Sequence, residues 1–262
     1  MADSQRTNDL RETLEAGDVA LGVLDNTYSP SLVEMYGDLG ADFVWIDLEH
    51  GGPSPWDAPA MENLLRAAEV TGTELLVRLP EPDQGLVRKA LDAGVRTAFI
   101  SQVQGPEDVR EAIEASQFTY AEDEPGRRGM AAPRARRWGM AEDYPETEDE
   151  EVMIGVTIEN ESALNSIDEI LEVPELGFVF LGPLDLSVSL GHPGEVDHPE
   201  VQEAVEEVRE KAQAADVPVG GLGFGPDDVS AKADAGYQLI NMGSTMGALQ
   251  GAVKEWLAEI ET

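Results

Sequence analysis

Phe43-Val44-Trp45-Ile46-Asp47-Leu48-Glu49-His50-Gly51-Gly52 is the stretch on which the reading of this chain turns. Its first four residues are uniformly apolar, the pattern of a short strand buried on both faces. Two carboxylates and a histidine follow within the next four positions, and then two glycines. Proteins that alternate strands and helices place their active sites beyond the carboxyl ends of their parallel strands. A buried strand that delivers Asp47, Glu49 and His50 to its tip therefore sets proton-transfer groups where such chemistry is done. A solvated histidine at the start of a loop would look the same in isolation, so the rest of the chain has to decide.

The same unit recurs on either side. Apolar runs at 20–24, 74–78, 96–100, 151–158, 178–181, 217–222 and 237–241 read as further strands. Between them, residues 30–39, 55–70, 84–93, 106–115, 162–171, 199–215 and 226–235 carry apolar residues at helical spacing, and a last helix begins near Ser244. In the 199–215 helix, Val201, Ala204, Val205, Val208 and Ala212 face one way and Glu203, Glu206, Glu207 and Glu210 the other. Eight strand–helix units in 262 residues predict a single (β/α)8 barrel spanning 1–262, since that fold runs to about 250 residues. An open doubly wound sheet is the alternative. Residues 1–17 read as a polar tail, and 117–150 as a long excursion without apolar period.

Charge excludes whole classes of partner. Fifty-three acidic residues face 17 basic ones, a net charge of −36, which repels nucleic acid and anionic membrane surfaces. Such a surface suits a salt-rich cytoplasm, where screening removes its self-repulsion. There is no cysteine, hence neither a disulfide framework nor a thiol nucleophile. No segment has the apolar core of a signal peptide or the ~20 apolar residues of a membrane span. A soluble, cytoplasmic protein is the expectation.

In a barrel, the residues just beyond each strand share one rim. Here they include Asp47, Glu49 and His50, then Arg78, Glu159 and Asp185. Glu159 and Asp185 are oxygen donors at the tips of neighbouring strands and suit a hard divalent cation, Mg²⁺ or Mn²⁺, with Co²⁺ a further option. Taken singly, each also reads as a surface acid or a turn cap. A buried Arg78 needs an anionic partner, either a ligand's carboxylate or Asp47 or Glu49. The basic segment 127–137 suits anion binding at the mouth of a site, with Arg128 the substrate-binding candidate, or an ion-pair patch between subunits. Gly220-Gly221-Leu222-Gly223-Phe224-Gly225 lacks the lysine of a phosphate-binding loop and reads as close backbone approach. All four lysines, Lys89, Lys211, Lys232 and Lys254, fall in helices, so Schiff-base chemistry has no lysine at the rim.

Ile46-Asp47-Leu48-Glu49-His50, Arg78, Gly126-Arg127-Arg128-Gly129, Thr157-Ile158-Glu159-Asn160 and Phe180-Leu181-Gly182-Pro183-Leu184-Asp185-Leu186-Ser187 occur in this order. In this the chain resembles the HpcH/HpaI aldolases from about Gly22 to its last helix. These are metal-dependent enzymes that cleave 4-hydroxy-2-oxo acids and 2-dehydro-3-deoxy sugar acids to pyruvate and an aldehyde. The resemblance implies that Glu159 and Asp185 hold the metal, that Arg78 stabilises the enolate oxygen and that His50 moves the proton. Asp47 joins this catalytic group. Asp92 would orient His50, from a neighbouring subunit, and Gly182 and Pro183 would shape the carboxylate pocket. The resemblance further implies a homo-oligomer, a hexamer in which the C-terminal helix packs on a neighbour. Thr157 departs from the family, whose members often carry glutamine there. Two other functions stand beside this one: an acyl-CoA lyase of the citrate-lyase β or malyl-CoA lyase type, and a metabolite-binding barrel without catalysis.

Overall fold

A computed structural model describes residues 7–121 and 124–260. Eight parallel strands close a barrel: β1 (Ala20–Leu24), β2 (Phe43–Asp47), β3 (Glu74–Leu79), β4 (Thr97–Ile100), β7 (Met153–Ile158), β8 (Leu176–Leu181), β9 (Val219–Leu222) and β10 (Leu239–Ser244). β10 pairs back onto β1, with Ala20 opposite Leu239, which closes the sheet and excludes the open alternative. β5 (Thr119–Tyr120) and β6 (Glu124–Pro125) form a small antiparallel hairpin outside it.

The helices wrap the barrel: α2 (Pro30–Asp38), α3 (Ala58–Thr71), α4 (Gln84–Ala93), α5 (Pro106–Ser116), α10 (Pro199–Ala214), α11 (Pro226–Asp234) and α12 (Thr245–Glu259). Five of these open with proline in the first turn, where its missing N–H costs nothing, among them α2, α5 and α10. The helix expected over 162–171 is broken at Ser166 into α7 (Glu161–Asn165) and α8 (Ile167–Leu171). A short helix, α9 (Pro183–Ser189), directly follows β8. The excursion ends in α6 (Tyr144–Glu151), which leads into β7. No helix among the described residues is long and apolar enough to cross a membrane.

Two apolar layers hold the fold. The outer one lies between strands and helices and includes Val44, Ile46, Leu75, Val77, Ile100, Val156 and Ile158. The inner one fills the barrel with Phe43, Trp45, Leu76, Phe99, Met153, Phe178, Phe180 and Leu239. Trp45 meets Phe99 and Phe180 edge-on, both at 5.4 Å between centroids. Large rings fit because glycine faces them. A Cβ at Gly22 would lie 2.3 Å from the Phe43 ring, one at Gly155 2.5 Å from Phe178, and one at Gly220 2.5 Å from Phe180. The glycine-rich stretch after residue 219 is thus partly a packing device for the barrel interior.

The supposed polar tail contains an element of the core. Residues 9–15 form α1 (Asp9–Glu15), whose Leu10 and Leu14 are buried against the inner layer at the N-terminal end of the barrel. Asn8 caps this helix and is itself fully buried, its amide donating to Thr97 Oγ1 at 2.9 Å and the Glu151 carbonyl at 2.8 Å. Only two apolar residues carry the contact, too few for a periodic signal. At the other end of the chain, α12 leaves Met246, Leu249, Val253, Trp256 and Leu257 exposed, as is Ile260 just beyond it.

If α1 is a stopper and not a tail, Leu14→Ala lowers unfolding free energy by about 2–5 kcal/mol, the cost of a core truncation. Urea titration measures this; an unchanged midpoint would return the segment to the status of a tail.

Candidate active site

The carboxyl ends of β2, β3, β4, β7 and β8 converge on one rim. β2 pairs with β3 so that Asp47 lies opposite Arg78. The Arg78 guanidinium grips Asp47 through both oxygens, Nε to Oδ1 at 2.9 Å and Nη2 to Oδ2 at 2.6 Å. Its third nitrogen, Nη1, stands 3.1 Å from Glu49 Oε2, and the planar group lies 5.1 Å above the Trp45 ring. Asp47 Oδ1 also accepts the backbone N–H of Glu49 at 2.9 Å and of His50 at 3.3 Å, which folds the turn after β2. One arginine thereby orders both acids of the opening stretch.

The charges respond to this setting. Burial pushes the Asp47 carboxyl up, but the Arg78 hydrogen bonds and charge and the two backbone donors outweigh it and leave its pKa lowered. Burial also opposes the charge on Arg78, and Asp47, Glu49 and Glu159 overcome it.

Glu159 is different. It is 2% exposed at the end of β7. Burial pushes its pKa up to about 7; the Gln102 backbone N–H opposes this, and the nearby charges of Glu49 and Asp185 add to it. Its Oε1 accepts from Gln102 N at 2.7 Å and Gln102 Nε2 at 3.1 Å, whereas Oε2 is buried without a hydrogen-bond partner. Asp185 reaches the same place from the first turn of α9, half exposed, with Oδ2 4.0 Å from His50 Nε2. His50 is exposed at the rim, its Nε2 also 3.7 Å from Glu49 Oε2. The approach of β8 to β7 depends on Gly182, where a Cβ would lie 2.9 Å from both Glu159 Cβ and Thr157 Cγ2. Pro183 then starts α9.

Three carboxylates, one carrying an orphaned buried oxygen, are a donor set that fits a hard divalent cation. Glu159 and Asp185 are the residues that would hold it.

Two sequence-derived candidates lie elsewhere. Residues between a helix and the next strand belong to the N-terminal face of a barrel, and the 117–150 excursion joins α5 to β7. Arg128 is buried there, paired with Glu148 at 2.8 Å, donating to Tyr144 Oη at 2.8 Å and lying 4.9 Å from the Phe118 ring. Arg96 shares the same Glu148 at 2.7 Å. Arg134 clasps Glu69, and Arg127 binds Glu114. Arg127, Arg128 and Arg134 are thus paired within the chain, and Arg128, buried against Glu148 at that end, does not reach the rim of its own barrel. Asp92, in the last turn of α4, sits beside Arg128 at that same end, with its pKa raised chiefly by burial. Within one chain it does not meet His50.

Gln102 was missed. It follows β4 after one serine, in a turn with no charged residue to mark it. Tyr28 also reaches the site, its hydroxyl donating to the Asp47 carbonyl at 3.2 Å. A separate group, His192, His198 and Glu200, lies within 4.8 Å. There His198 Nδ1 accepts the Glu200 N–H as the cap of α10 and His192 Nε2 bonds Glu200 Oε2 at 2.8 Å, so its atoms serve the helix start.

The model of the HpcH/HpaI aldolase/citrate lyase family matches residues 22–252. The chain belongs to this family. It is 30% identical to a hydroxypyruvate/pyruvate aldolase of Paraburkholderia phytofirmans, over 98% of each chain. It is 32% identical to a 2-keto-3-deoxy-L-rhamnonate aldolase of Escherichia coli, over 84% of this chain and 81% of that one. Among solved structures, a family member from Burkholderia cenocepacia superposes with a TM-score of 0.91 at 31% identity, covering 98% of this chain and all of that one.

The lowered pKa of Asp47 has a readable consequence. A carboxylate depressed in the folded state contributes stability that is fully present above its unfolded pKa and is lost as pH falls through the folded value. Asp47→Asn removes that contribution. The stability gap between wild type and variant, measured by urea unfolding across pH, should therefore shrink as pH falls; a gap independent of pH would contradict the pairing.

Proposed function

We propose that this family member is a carbon–carbon lyase that reversibly cleaves a 4-hydroxy-2-oxo acid, or a 2-dehydro-3-deoxy sugar acid, to pyruvate and an aldehyde. The observation that carries the reading is the meeting of His50, Arg78, Glu159 and Asp185 on one rim, one carboxylate oxygen being buried and unpartnered. It is supported by two aldolases that are 30% and 32% identical to this chain over the aligned residues.

Mg²⁺ or Mn²⁺ held by Glu159 and Asp185 would draw electron density from the carbonyl of a bound 2-oxo acid. The chain's own groups account for the proton and the charge. His50, open to the rim, takes the proton of the C4 hydroxyl, directly or through water. The C3–C4 bond breaks, its electron pair passes to C3, and the aldehyde departs. Arg78, fixed by Asp47, presents a permanent cation to the enolate oxygen. Return of a proton to C3 gives the methyl group of pyruvate. Gly182 and Pro183 form the wall against which the carboxylate lies. The acyl-CoA lyase reading is less favoured, because its one candidate for phosphate contact, the basic segment, lies at the other end of this chain's own barrel, with Arg127, Arg128 and Arg134 paired internally.

Exchange of the pyruvate methyl protons in D₂O, followed by NMR, tests this without knowledge of the aldehyde. Mn²⁺-dependent exchange that EDTA removes is expected. His50→Ala should abolish exchange while Mn²⁺ still binds, and Glu159→Gln should weaken both. A folded, Mn²⁺-saturated protein without exchange would overturn the reading.

We also infer a homo-oligomer, a hexamer by family likeness, working in a salt-rich cytoplasm. The apolar face of α12 would pack on a second copy, and only such a copy could bring Asp92 to His50. Sedimentation at about 1 M KCl, where screening contracts to ~3 Å, should give an oligomer that dissociates as salt is lowered and the acidic surfaces repel. A monomer at every salt concentration refutes the assembly.

A further inference from the structure

We propose that Gln102 is a positioning residue that restricts Glu159 to a single metal-binding oxygen and thereby disfavours Ca²⁺ at the site. The inference rests on the metal-dependent reading above and deepens it. Gln102 has φ 60°, a left-handed conformation that is strained for any residue with a Cβ. In that conformation its backbone N–H and its side-chain amide turn toward one atom, Glu159 Oε1, at 2.7 and 3.1 Å. The same amide reaches Glu49 Oε1 at 3.1 Å. The turn around it is fixed as well: Gln104 Nε2 donates to the Gln102 carbonyl at 3.0 Å, and Asn160 Nδ2 to that of Val103 at 2.9 Å.

Two carboxylates are therefore tied by their Oε1 atoms; Glu49 Oε2 faces Arg78 Nη1 at 3.1 Å, and Glu159 Oε2 is buried without a hydrogen-bond partner. Hydrogen bonds behind a metal ligand orient it. With two donors on Oε1, Glu159 offers a cation Oε2 alone. Single-oxygen ligation suits Mg²⁺ or Mn²⁺, small ions in octahedral sites that keep several waters, whereas Ca²⁺ takes more oxygens and readily binds a carboxylate through both. A glycine in this turn would relieve the backbone and still supply the N–H, but it has no carboxamide to hold the two acids.

That contrast defines the experiment. Wild type, Gln102→Met and Gln102→Gly are titrated with Mn²⁺ by calorimetry and electron paramagnetic resonance, with Ca²⁺ as competitor, and melted by circular dichroism. Methionine keeps the volume and the strain; glycine removes the strain; neither has the amide. Both variants should bind Mn²⁺ roughly 10–100-fold more weakly, the usual cost of losing such a supporting partner, with a smaller loss for Ca²⁺, so that the preference for Mn²⁺ narrows. Gln102→Gly should melt above Gln102→Met while sharing its binding defect. Unchanged affinity in the variants, or equal losses for the two ions, overturns the role of Gln102 alone. Wild type that binds no Mn²⁺ overturns the metal-dependent reading and this inference with it.

Discussion

Among the described residues, Arg78 is the one arginine or lysine set between four carboxylates at the rim. A parallel barrel sends the ends of all its strands to the same place, and here they bring Asp47, Glu49, Glu159 and Asp185. Left to themselves these groups repel one another, and burial raises the cost of each charge. Arg78 answers two of them directly and rests on Trp45, one of the rings that fill the barrel interior. What it leaves unanswered is Glu159, whose pKa is raised to about 7. The site is thus divided into an internally satisfied half and a half that a cation would complete. The division follows from geometry: Arg78 is opposite Asp47 in register, while Glu159 stands on β7 beyond β4.

The architecture beneath it was largely legible in the sequence, because buried parallel strands are short, apolar and regularly spaced. The run at 43–46, the amphipathic helix at 199–215 and the proline-led helix starts each carry a local signal that survives folding. Boundaries slipped where that signal is weak, as at Ser166, which splits a helix, and at 237–238, which precede β10. α1 was misread because a helix that buries only Leu10 and Leu14 shows little periodicity in seven residues.

The site was legible in part. Residues at strand tips are found by topology, and Asp47, His50, Arg78, Glu159 and Asp185 do share the rim. Arg128 shows the converse. Its place between a helix and a strand assigns it to the N-terminal face, yet the concentration of basic charge drew attention to ligand binding. In a chain this acidic an arginine finds a carboxylate nearby, as Glu148, Glu69 and Glu114 demonstrate. Gln102 could not be recognised from composition or spacing; its contribution depends on a backbone angle.

The helix that closes the N-terminal end has a consequence for traffic. With Leu10 and Leu14 seated against a ring-filled interior, the barrel is a cup and not a conduit. A molecule split in two inside it must release both fragments through the mouth by which it entered. Whichever fragment lies nearer the floor waits for the other to clear the opening, so the order of departure is written into the depth at which each half is held.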